Sequence, residues 1–252
     1  MDVVVEDQPR TRSKLRNLLW VGILCLALGI SVGVSAVGRP PFDLLPTMLR
    51  GVVVTAKLTV GATLLSIVVA MIAGVARASK NRLMRALSGF YVEIFRGTSA
   101  LVQMFWIFFV LPLPPFHITL TSLQAGILAL GLNVGAYGAE VVRGAILAIP
   151  KSQIEATIAL NMPPFLTLRR VILPQAMVRI LPPFGNLVIE LLKATALVSL
   201  ITLPDVTFQT LSLRMTVGRT TELFTLLLII YFLLAYPLTL GVRWLERQRR
   251  WA

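Results

Sequence analysis

Long apolar runs separated by short polar stretches dominate the pattern of this chain. A run of about 20 apolar residues suits a helix that crosses a bilayer. Six runs approach this length, at about 17–37, at 47–76, up to 111, at 122–142, from 184 to 203, and at 221–242. The pattern therefore predicts an all-α integral membrane protein with six transmembrane helices.

Residues 149–176 interrupt the apolar pattern, because they have the character of soluble helix. Ser152 is followed three residues later by Glu155, which predicts a capping box at the start of a helix. Asn161 tolerates the left-handed conformation that commonly ends a helix. We therefore predict a first short helix that begins at Ser152 and stops at Asn161.

Two prolines, Pro163 and Pro164, follow this first helix and prevent its continuation. A second short helix is predicted from about 165 to 172, ending before Pro174. The two helices would meet at a turn between two membrane spans.

The composition excludes a soluble globular protein, since 56% of residues are hydrophobic and the mean hydropathy is +0.82. The net charge of +13 would suggest a nucleic-acid partner on a soluble protein. Here the charge lies in short loops between apolar runs, without interleaved aromatics. This distribution is typical of membrane orientation, and no nucleic-acid partner is predicted.

The positive charges indicate an orientation. Four segments hold 18 of the 24 lysines and arginines, namely 10–16, 77–96, 143–179 and 243–250. The positive-inside rule places these segments in the cytoplasm. Both termini are then predicted to be cytoplasmic, with 38–46 and 204–221 outside.

Few residues of the chain are of the types that act in catalysis, disulfide formation or metal binding. The single cysteine, Cys25, excludes an internal disulfide, and the single histidine, His117, lies in a proline-rich turn. No Gly-Lys dipeptide occurs, and a phosphate-binding Walker A loop requires one. The sequence predicts no catalytic residue, no metal site and no bound cofactor on this chain.

The interrupting stretch nonetheless resembles the EAA loop of ABC-importer permeases. Glu155-Ala156-Thr157 stands for E-A-A, Asn161 for the glycine, and Val171-Ile172-Leu173-Pro174 for the closing I-x-L-P. Thr157 and Asn161 depart from the family pattern, although Asn161 keeps the capacity for positive φ. In that family the first helix of the loop docks in a separate ATP-hydrolysing subunit. The resemblance implies an ATPase-coupling set of Ser152, Glu155, Ala156, Thr157, Asn161, Leu173 and Pro174.

Other stretches resemble permeases for polar amino acids. These are F-R-G-T-S-A-L-V-Q at 95–103, with Ser99 where that family usually has proline, G-A-Y-G-A-E-V-V-R-G at 135–144 and L-L-K-A-T-A-L-V-S-L-I at 191–201. The resemblance covers about 45–244 and is closest to the histidine, glutamine, arginine and opine type. Within it, E-L-L-K-A-T-A-L-V-S-L and A-L-N-M look like the permeases for ectoine and hydroxyectoine.

The resemblance implies a membrane-spanning permease subunit in the cell inner membrane, with the five-helix core of a type I importer plus one N-terminal helix. The expected partners are an ABC ATP-binding subunit that holds ATP and Mg, an extracytoplasmic solute-binding protein, and a second, preferably different, permease subunit. The expected division of the chain is a tail at 1–16, a first span and linker at 17–46, the permease domain at 47–244 and a tail at 245–252.

Alternative interpretations remain open from the sequence. An ion-coupled secondary transporter would show mid-membrane ionisable groups and similar halves, and a membrane enzyme would need clustered His, Cys or carboxylates. The first apolar run is also compatible with a signal peptide, although its length favours an uncleaved span.

The fifth apolar run carries two polar faces. Glu190 and Lys193 share one face, and Thr195, Ser199 and Thr202 share roughly the opposite face. Polar groups in hydrocarbon are costly, so we expect one face to meet the partner permease and the other to border the translocation path. Pairing of Glu190 with Lys193 at the membrane edge is the alternative.

Features of the second and fourth runs predict helix contacts. Gly131, Gly135 and Gly138 are expected to mark a close approach of helices. Glu140 and Arg143 are spaced for an i, i+3 ion pair. A row of hydroxyl side chains, Thr55, Thr59, Thr63 and Ser66, is expected to bond back to its own helix or across to another.

Overall fold

The structure, a computed structural model, describes residues 44–248, and within that range the chain is helical and contains no strand. The helices are α1 Leu45–Ala78, α2 Arg82–Gly97, α3 Ala100–Phe105, α4 Ser122–Leu147, α5 Lys151–Ala159, α6 Pro164–Thr167, α7 Leu173–Ala194, α8 Val206–Val217 and α9 Thr220–Gln248. Two π-helical segments, Trp106–Val110 and Leu168–Ile172, follow α3 and α6, and a 3₁₀ segment, Thr195–Ile201, follows α7.

Four helical segments between 44 and 248 have the length and composition to cross a membrane. They are Leu45–Ala78, Ser122–Leu147, Pro164–Ile201 and Thr220–Trp244. A fifth is formed if α2 and the segment Ala100–Val110, bent by 104° relative to each other, count as one broken span. The predicted all-α membrane fold is confirmed, whereas the predicted first span lies outside the described residues.

Helices α1 and α4 pack closely through small residues. A Cβ added at Gly131 would lie 2.7 Å from the Leu65 side chain, and one at Gly138 would lie 2.8 Å from the Cβ of Ala70. At Gly135 the nearest atoms, in Val69, would be 3.1 Å away. The predicted close helix approach is confirmed, and the apolar core lies along this pair.

The hydroxyl row on α1 is mostly turned inward. Thr59 donates to the carbonyl of Thr55 at 2.8 Å, and Ser66 donates to that of Thr63 at 2.8 Å. The Thr55 hydroxyl also accepts from the amide of Val206 at 3.4 Å, which ties α1 to the start of α8. Both predicted kinds of bond, back to the helix and across to another, are therefore present.

The bend between α2 and α3 is held by side-chain amides. Asn133 of α4 donates to the carbonyl of Phe95 at 2.9 Å and to the side-chain oxygen of Gln103 at 3.1 Å. Gln103 in turn donates to the Phe95 carbonyl at 2.9 Å and to the Thr98 hydroxyl at 2.6 Å. These bonds satisfy backbone groups that the bend leaves without helical partners.

The fifth span is longer than predicted. The prediction that a short helix ends before Pro174 and that the span starts after Pro183 is wrong, because one helical segment runs from Pro164 to Ile201. Pro174 lies in the first two positions of α7, where the i→i−4 hydrogen-bond ladder is already interrupted, so its missing amide is tolerated. The π-helical segment Leu168–Ile172 directly precedes it.

The predicted external linker 204–221 contains a helix that the sequence reasoning missed. The carboxylate of Asp205 accepts a hydrogen bond from the amide of Phe208 at 2.8 Å and caps α8. Gly218, at φ 71°, ends the helix. An N-cap residue type at Asp205 and a C-cap glycine at Gly218 were the available signals.

Candidate functional site

The start of α5 differs from the prediction. The helix begins at Lys151 after Pro150, and no side chain caps its first amides. Ser152 is therefore the second helical residue and has no N-cap role, so the predicted capping box is wrong. Pro150 has an extended ψ of 139° and supplies the entry to the helix by its own fixed φ. Glu155, the fifth helical residue, lies beyond the first turn and is exposed.

The end of α5 agrees with the prediction. Asn161 has φ 51°, in the left-handed region. Its amide donates to the carbonyl of Ile158 at 2.9 Å, and the amide of Met162 donates to that of Thr157 at 2.9 Å. This pair of bonds is a Schellman motif, which satisfies the last carbonyls of the helix. Asn161 therefore forms the left-handed turn that its residue type predicted.

Three contacts hold the α5 loop to its neighbours. The side chain of Gln175 donates to that of Gln153 at 3.2 Å, and Arg179 donates to the carbonyl of Ala148 at 2.8 Å. Thr157 is 4% exposed and is the only buried residue of α5. Of the other predicted coupling positions, Ala156 and Pro174 are exposed and Leu173 is partly buried in the following helix.

The remaining face of the loop presents apolar side chains without a partner among residues 44–248. Ile158 is 70%, Leu160 74% and Phe165 73% exposed. We call these three residues, with the less exposed Ile154, the loop surface. A rigid helix with an uncovered apolar surface has the composition of a protein-docking site.

An ionic cluster lies near the same end of the molecule. Arg143 donates from Nε to Glu140 at 2.9 Å, so the predicted pair is confirmed. Arg77, at the end of α1, forms an ion pair with the other oxygen of Glu140. Glu140 thus joins the ends of α1 and α4 just before the chain enters the α5 loop.

Glu190 and Lys193 do not pair with each other. Both side chains are exposed, and the ion pairs formed within residues 44–248 do not include either of them. The interpretation of this pair as a self-satisfied ion pair at the membrane edge is therefore wrong. An exposed carboxylate and an exposed ammonium within a membrane span require water or another subunit beside them.

The predicted stripe of Thr195, Ser199 and Thr202 is correct only in part. Thr195 and Ser199 are buried and donate to carbonyls of their own helix, at 2.7 and 2.8 Å. Thr202 is exposed, has φ 60° and lies after the helix. The change to a 3₁₀ segment at Thr195 alters the residue period, so the face extrapolated from an α-helix does not persist.

The comparison with known proteins identifies the family. The family model of the binding-protein-dependent transport system inner membrane component matches residues 66–251. The chain belongs to this family. Among curated relatives, the probable amino-acid ABC transporter permease protein y4tF of Sinorhizobium fredii (strain NBRC 101917 / NGR234) is 44% identical over 214 residues, which is 83% of this chain and 90% of that protein.

A further curated relative and two solved structures are also similar to this inner membrane component. The glutamine transport system permease protein GlnP of Escherichia coli (strain K12) is 31% identical, with 82% of this chain and 94% of that protein covered. The crystal structure of an amino acid ABC transporter with histidines matches with a TM-score of 0.75 and 31% identity, covering 82% of this chain and 96% of that one. An inward-facing structure of the MetNI methionine ABC transporter, 20% identical at a TM-score of 0.67, shares the fold over 82% of this chain and 98% of its own.

Two features of this transport component escaped the sequence reasoning. The third member of the ionic cluster, Arg77, could have been found only from the α1–α4 packing register. The hydroxyl group of the half-buried Tyr231 lies 3.1 Å from Thr207 Oγ1 and 3.5 Å from Thr195 Oγ1. These contacts join α9 to α8 and to the 3₁₀ segment, and no local pattern in the sequence indicates them.

Proposed function

We propose that this inner membrane component is the permease subunit of an ABC importer for a polar amino acid or a similar zwitterionic solute. ATP hydrolysis would take place on a separate ATP-binding subunit, and an extracytoplasmic solute-binding protein would deliver the solute. The observation that carries the proposal is the α5 loop, which is fixed to the span that follows it and presents the uncovered loop surface.

The substrate class comes from the relatives. Their names refer to amino acids, to glutamine and, for the Bacillus subtilis (strain 168) permease TcyB at 40% identity over 63% of this chain and 69% of that protein, to L-cystine. All these solutes carry an ammonium and a carboxylate. Ectoine and hydroxyectoine, which the sequence around 190–200 favours by resemblance, share a cationic group beside a carboxylate. They are the finer substrate proposal.

The orientation of the proposed permease follows from its charges. Arg77, Arg143, Arg169 and Arg170 lie near the end of the molecule that carries the α5 loop. The positive-inside rule places this end, and both termini, in the cytoplasm. The loop surface would then be accessible to a cytoplasmic ATP-binding subunit.

The mechanism of coupling rests on rigidity. The Schellman turn at Asn161 fixes one end of α5, and the bond from Arg179 to Ala148 fixes the chain before it. A displacement of α5 by the ATP-binding subunit would therefore reach the Pro164–Ile201 span directly. In this proposal Glu155, Ala156 and the loop surface make the contact, while Thr157, Asn161, Leu173 and Pro174 hold its geometry.

The same span carries the proposed solute path. Glu190 and Lys193 are exposed on α7, which extends directly from the loop. Opposite charges in this position suit the ammonium and carboxylate of a zwitterion, or the facing surface of a second permease subunit. Of the hydroxyl residues that follow, Thr202 is exposed and is added to the proposed polar lining, whereas Thr195 and Ser199 are buried and bond to carbonyls of their own helix.

Docking of the ATP-binding subunit is tested by co-purification. Replacing Ile158 by Asp places a charge in the centre of the loop surface, and we expect the ATP-binding subunit to be lost from the purified complex. Thr216→Asp adds the same charge to an exposed position of α8, which follows the Pro164–Ile201 span at the end opposite the α5 loop. This variant should leave that subunit bound. Full retention of the ATP-binding subunit by Ile158→Asp would show that α5 is not its docking site.

The solute is identified separately. Calorimetric titration of the cognate solute-binding protein with glutamine, cystine, arginine, histidine and ectoine should give tight binding for one of them. Uptake of that solute by reconstituted vesicles should then require ATP on the side of the membrane that carries the ATP-binding subunit. Uptake that instead follows a proton or sodium gradient without ATP would favour the ion-coupled transporter.

A further inference from the structure

A basic cavity lies beside the ionic cluster and has no role in the proposed coupling or transport. Its volume is about 640 Å³, and it opens between the ends of α1 and α4 and one face of α2. Four arginines line it, Arg77, Arg82, Arg85 and Arg143, together with a single carboxylate, that of Glu93. Four guanidinium groups around one cavity create a strongly positive potential.

The positive charge is only partly neutralised within the chain. Arg77 and Arg143 share the one carboxylate of Glu140. Arg82 and Arg85 are exposed, and neither forms an ion pair with a carboxylate of residues 44–248. The cavity therefore carries surplus positive charge and free guanidinium donors, which favour the oxygens of a phosphate group.

An apolar stripe runs along α2 next to the basic face. Leu83, Leu87, Phe90 and Ile94 recur at helical spacing and are each exposed, between 42% and 68%. Phe90 belongs to both surfaces, since it also lines the cavity. A helix with this division suits the boundary between headgroups and acyl chains of a membrane.

We propose that this cavity binds the headgroup of an anionic phospholipid of the leaflet on the α5 side. The phosphate lies among Arg82, Arg85 and the ionic cluster, and the acyl chains extend along the apolar stripe of α2. Basic cavities between transmembrane helices on the cytoplasmic side bind such headgroups in other membrane proteins. A soluble anion would use the cavity but would leave the adjacent stripe uncovered, so the structure favours the lipid.

The proposal is tested by native mass spectrometry of the full-length protein in its complex, purified from membranes that contain phosphatidylglycerol and cardiolipin. We expect the wild type to retain these lipids in preference to phosphatidylcholine. Arg82→Gln with Arg85→Gln should reduce retention roughly 25-fold, since each arginine at the headgroup contributes about fivefold to anionic-lipid binding. Unchanged retention in this double variant would overturn the proposal.

Two control variants separate a lost site from a damaged protein. Arg169→Gln with Arg170→Gln removes the same charge from exposed positions outside the cavity and should lower lipid retention far less than the cavity variant does. Glu93→Gln removes the cavity's own carboxylate and should increase retention, by about fivefold. Misfolding would not increase the preference for anionic lipid over phosphatidylcholine, so a selective increase in Glu93→Gln supports the site and a decrease contradicts it.

Free phosphate is distinguished by a further arm. The wild type is reconstituted in phosphatidylcholine nanodiscs and titrated either with inorganic phosphate or with phosphatidylglycerol. Binding of the lipid alone supports the proposal. Saturable binding of inorganic phosphate that Arg82→Gln with Arg85→Gln abolishes, without any preference for phosphatidylglycerol, would assign the cavity to a soluble anion instead.

Discussion

Helices α4 and α5 are neighbours in the chain but are held in place by different interactions. Half of α4 is buried against α1 and α7, through glycines and alanines that admit close neighbours. Only Thr157 of α5 is buried, and the helix is fixed by its terminal turn and by two side-chain bonds at its borders. Side-chain packing therefore defines α4, whereas backbone geometry defines α5.

This difference indicates where the partners of each helix lie. The buried residues of α4 find their contacts within the described chain, so they stabilise the fold. The apolar residues of α5 are left exposed by the described chain, so we expect them to contact another subunit. Substitutions in α4 should consequently change stability, and substitutions in α5 should change coupling while the membrane fold survives.

The largest effect on stability is expected at Gly74, where α1 meets α4. A Cβ there would lie 2.5 Å from the Cβ of Val142 and 2.8 Å from the carbonyl oxygen of Ala139, which cannot move independently of the α4 backbone. Overpacking of this kind costs about 1–3 kcal/mol, and alanine regains roughly 1 kcal/mol in helix propensity. Gly74→Ala should therefore lower the thermal unfolding midpoint of the purified protein.

Gly144, on α4, provides the matched control for Gly74. A Cβ added at Gly144 would have no neighbour within 4 Å. Gly144→Ala should leave the midpoint unchanged or raise it. If both alanine variants melt like the wild type, the close α1–α4 packing does not limit stability.

The next effect is expected at Asn161, and it should appear in transport. Valine is strained at the φ of 51° that this position adopts, and the left-handed region costs roughly 1–2 kcal/mol for residues that do not favour it. Asn161→Val should loosen the end of α5 and severely reduce ATP-driven uptake in reconstituted vesicles. Asn161→Gly, which has no Cβ, should remain near wild type. Normal uptake by Asn161→Val would show that the turn is not needed for coupling.

A smaller effect should come from Asp205, the buried cap of α8. Burial raises the pKa of this carboxyl above its ordinary value, although hydrogen bonds including that from the Phe208 amide act in the opposite direction. The contribution of Asp205 to stability should then be greatest below its unfolded-state pKa and be lost as the pH rises through the folded-state pKa. Asn can also cap a helix and has no charge. Asp205→Asn should match the wild type in acid and exceed it at higher pH, as measured by unfolding midpoints across pH.

The smallest effect is expected at Ser152. Its side chain makes no capping bond, so Ser152→Ala cannot lose the roughly 1 kcal/mol that a removed N-cap costs. Uptake and ATPase stimulation should both equal wild type. A clear loss of coupling in this variant would mean that the hydroxyl contacts the ATP-binding subunit, which would sharpen the assignment of α5 to that interface.

Features that depend on local patterns could be predicted from the sequence. The left-handed turn at Asn161 follows from residue type and the prolines after it, and the pairing of Glu140 with Arg143 follows from helical spacing. The glycines at 131 and 138 indicated a close helix contact because they share a face of α4. In each case the neighbours along the chain contain the information.

Features that depend on tertiary packing or on irregular helix geometry could not be predicted. The ion pair from Arg77 to Glu140 depends on how α1 and α4 align. The face of Thr202 was extrapolated from an α-helix, but the chain changes to 3₁₀ geometry at Thr195. The N-cap of α5 lies two residues earlier than predicted, because Pro150 supplies the entry that Ser152 was expected to provide.

The π-helical segment Leu168–Ile172 affects how the chain tolerates changes in length. Here the amide of Leu173 donates to the carbonyl of Leu168, five residues earlier, so the turn holds one residue more than an α-turn. Removing one residue inside this segment would restore α-helical geometry while the flanking helices keep their directions. Removing one residue within α7 would instead rotate the α5 loop by about 100° relative to Glu190 and Lys193. A single-residue deletion is therefore compatible with a fixed loop direction at 168–172 but not along the helix that follows.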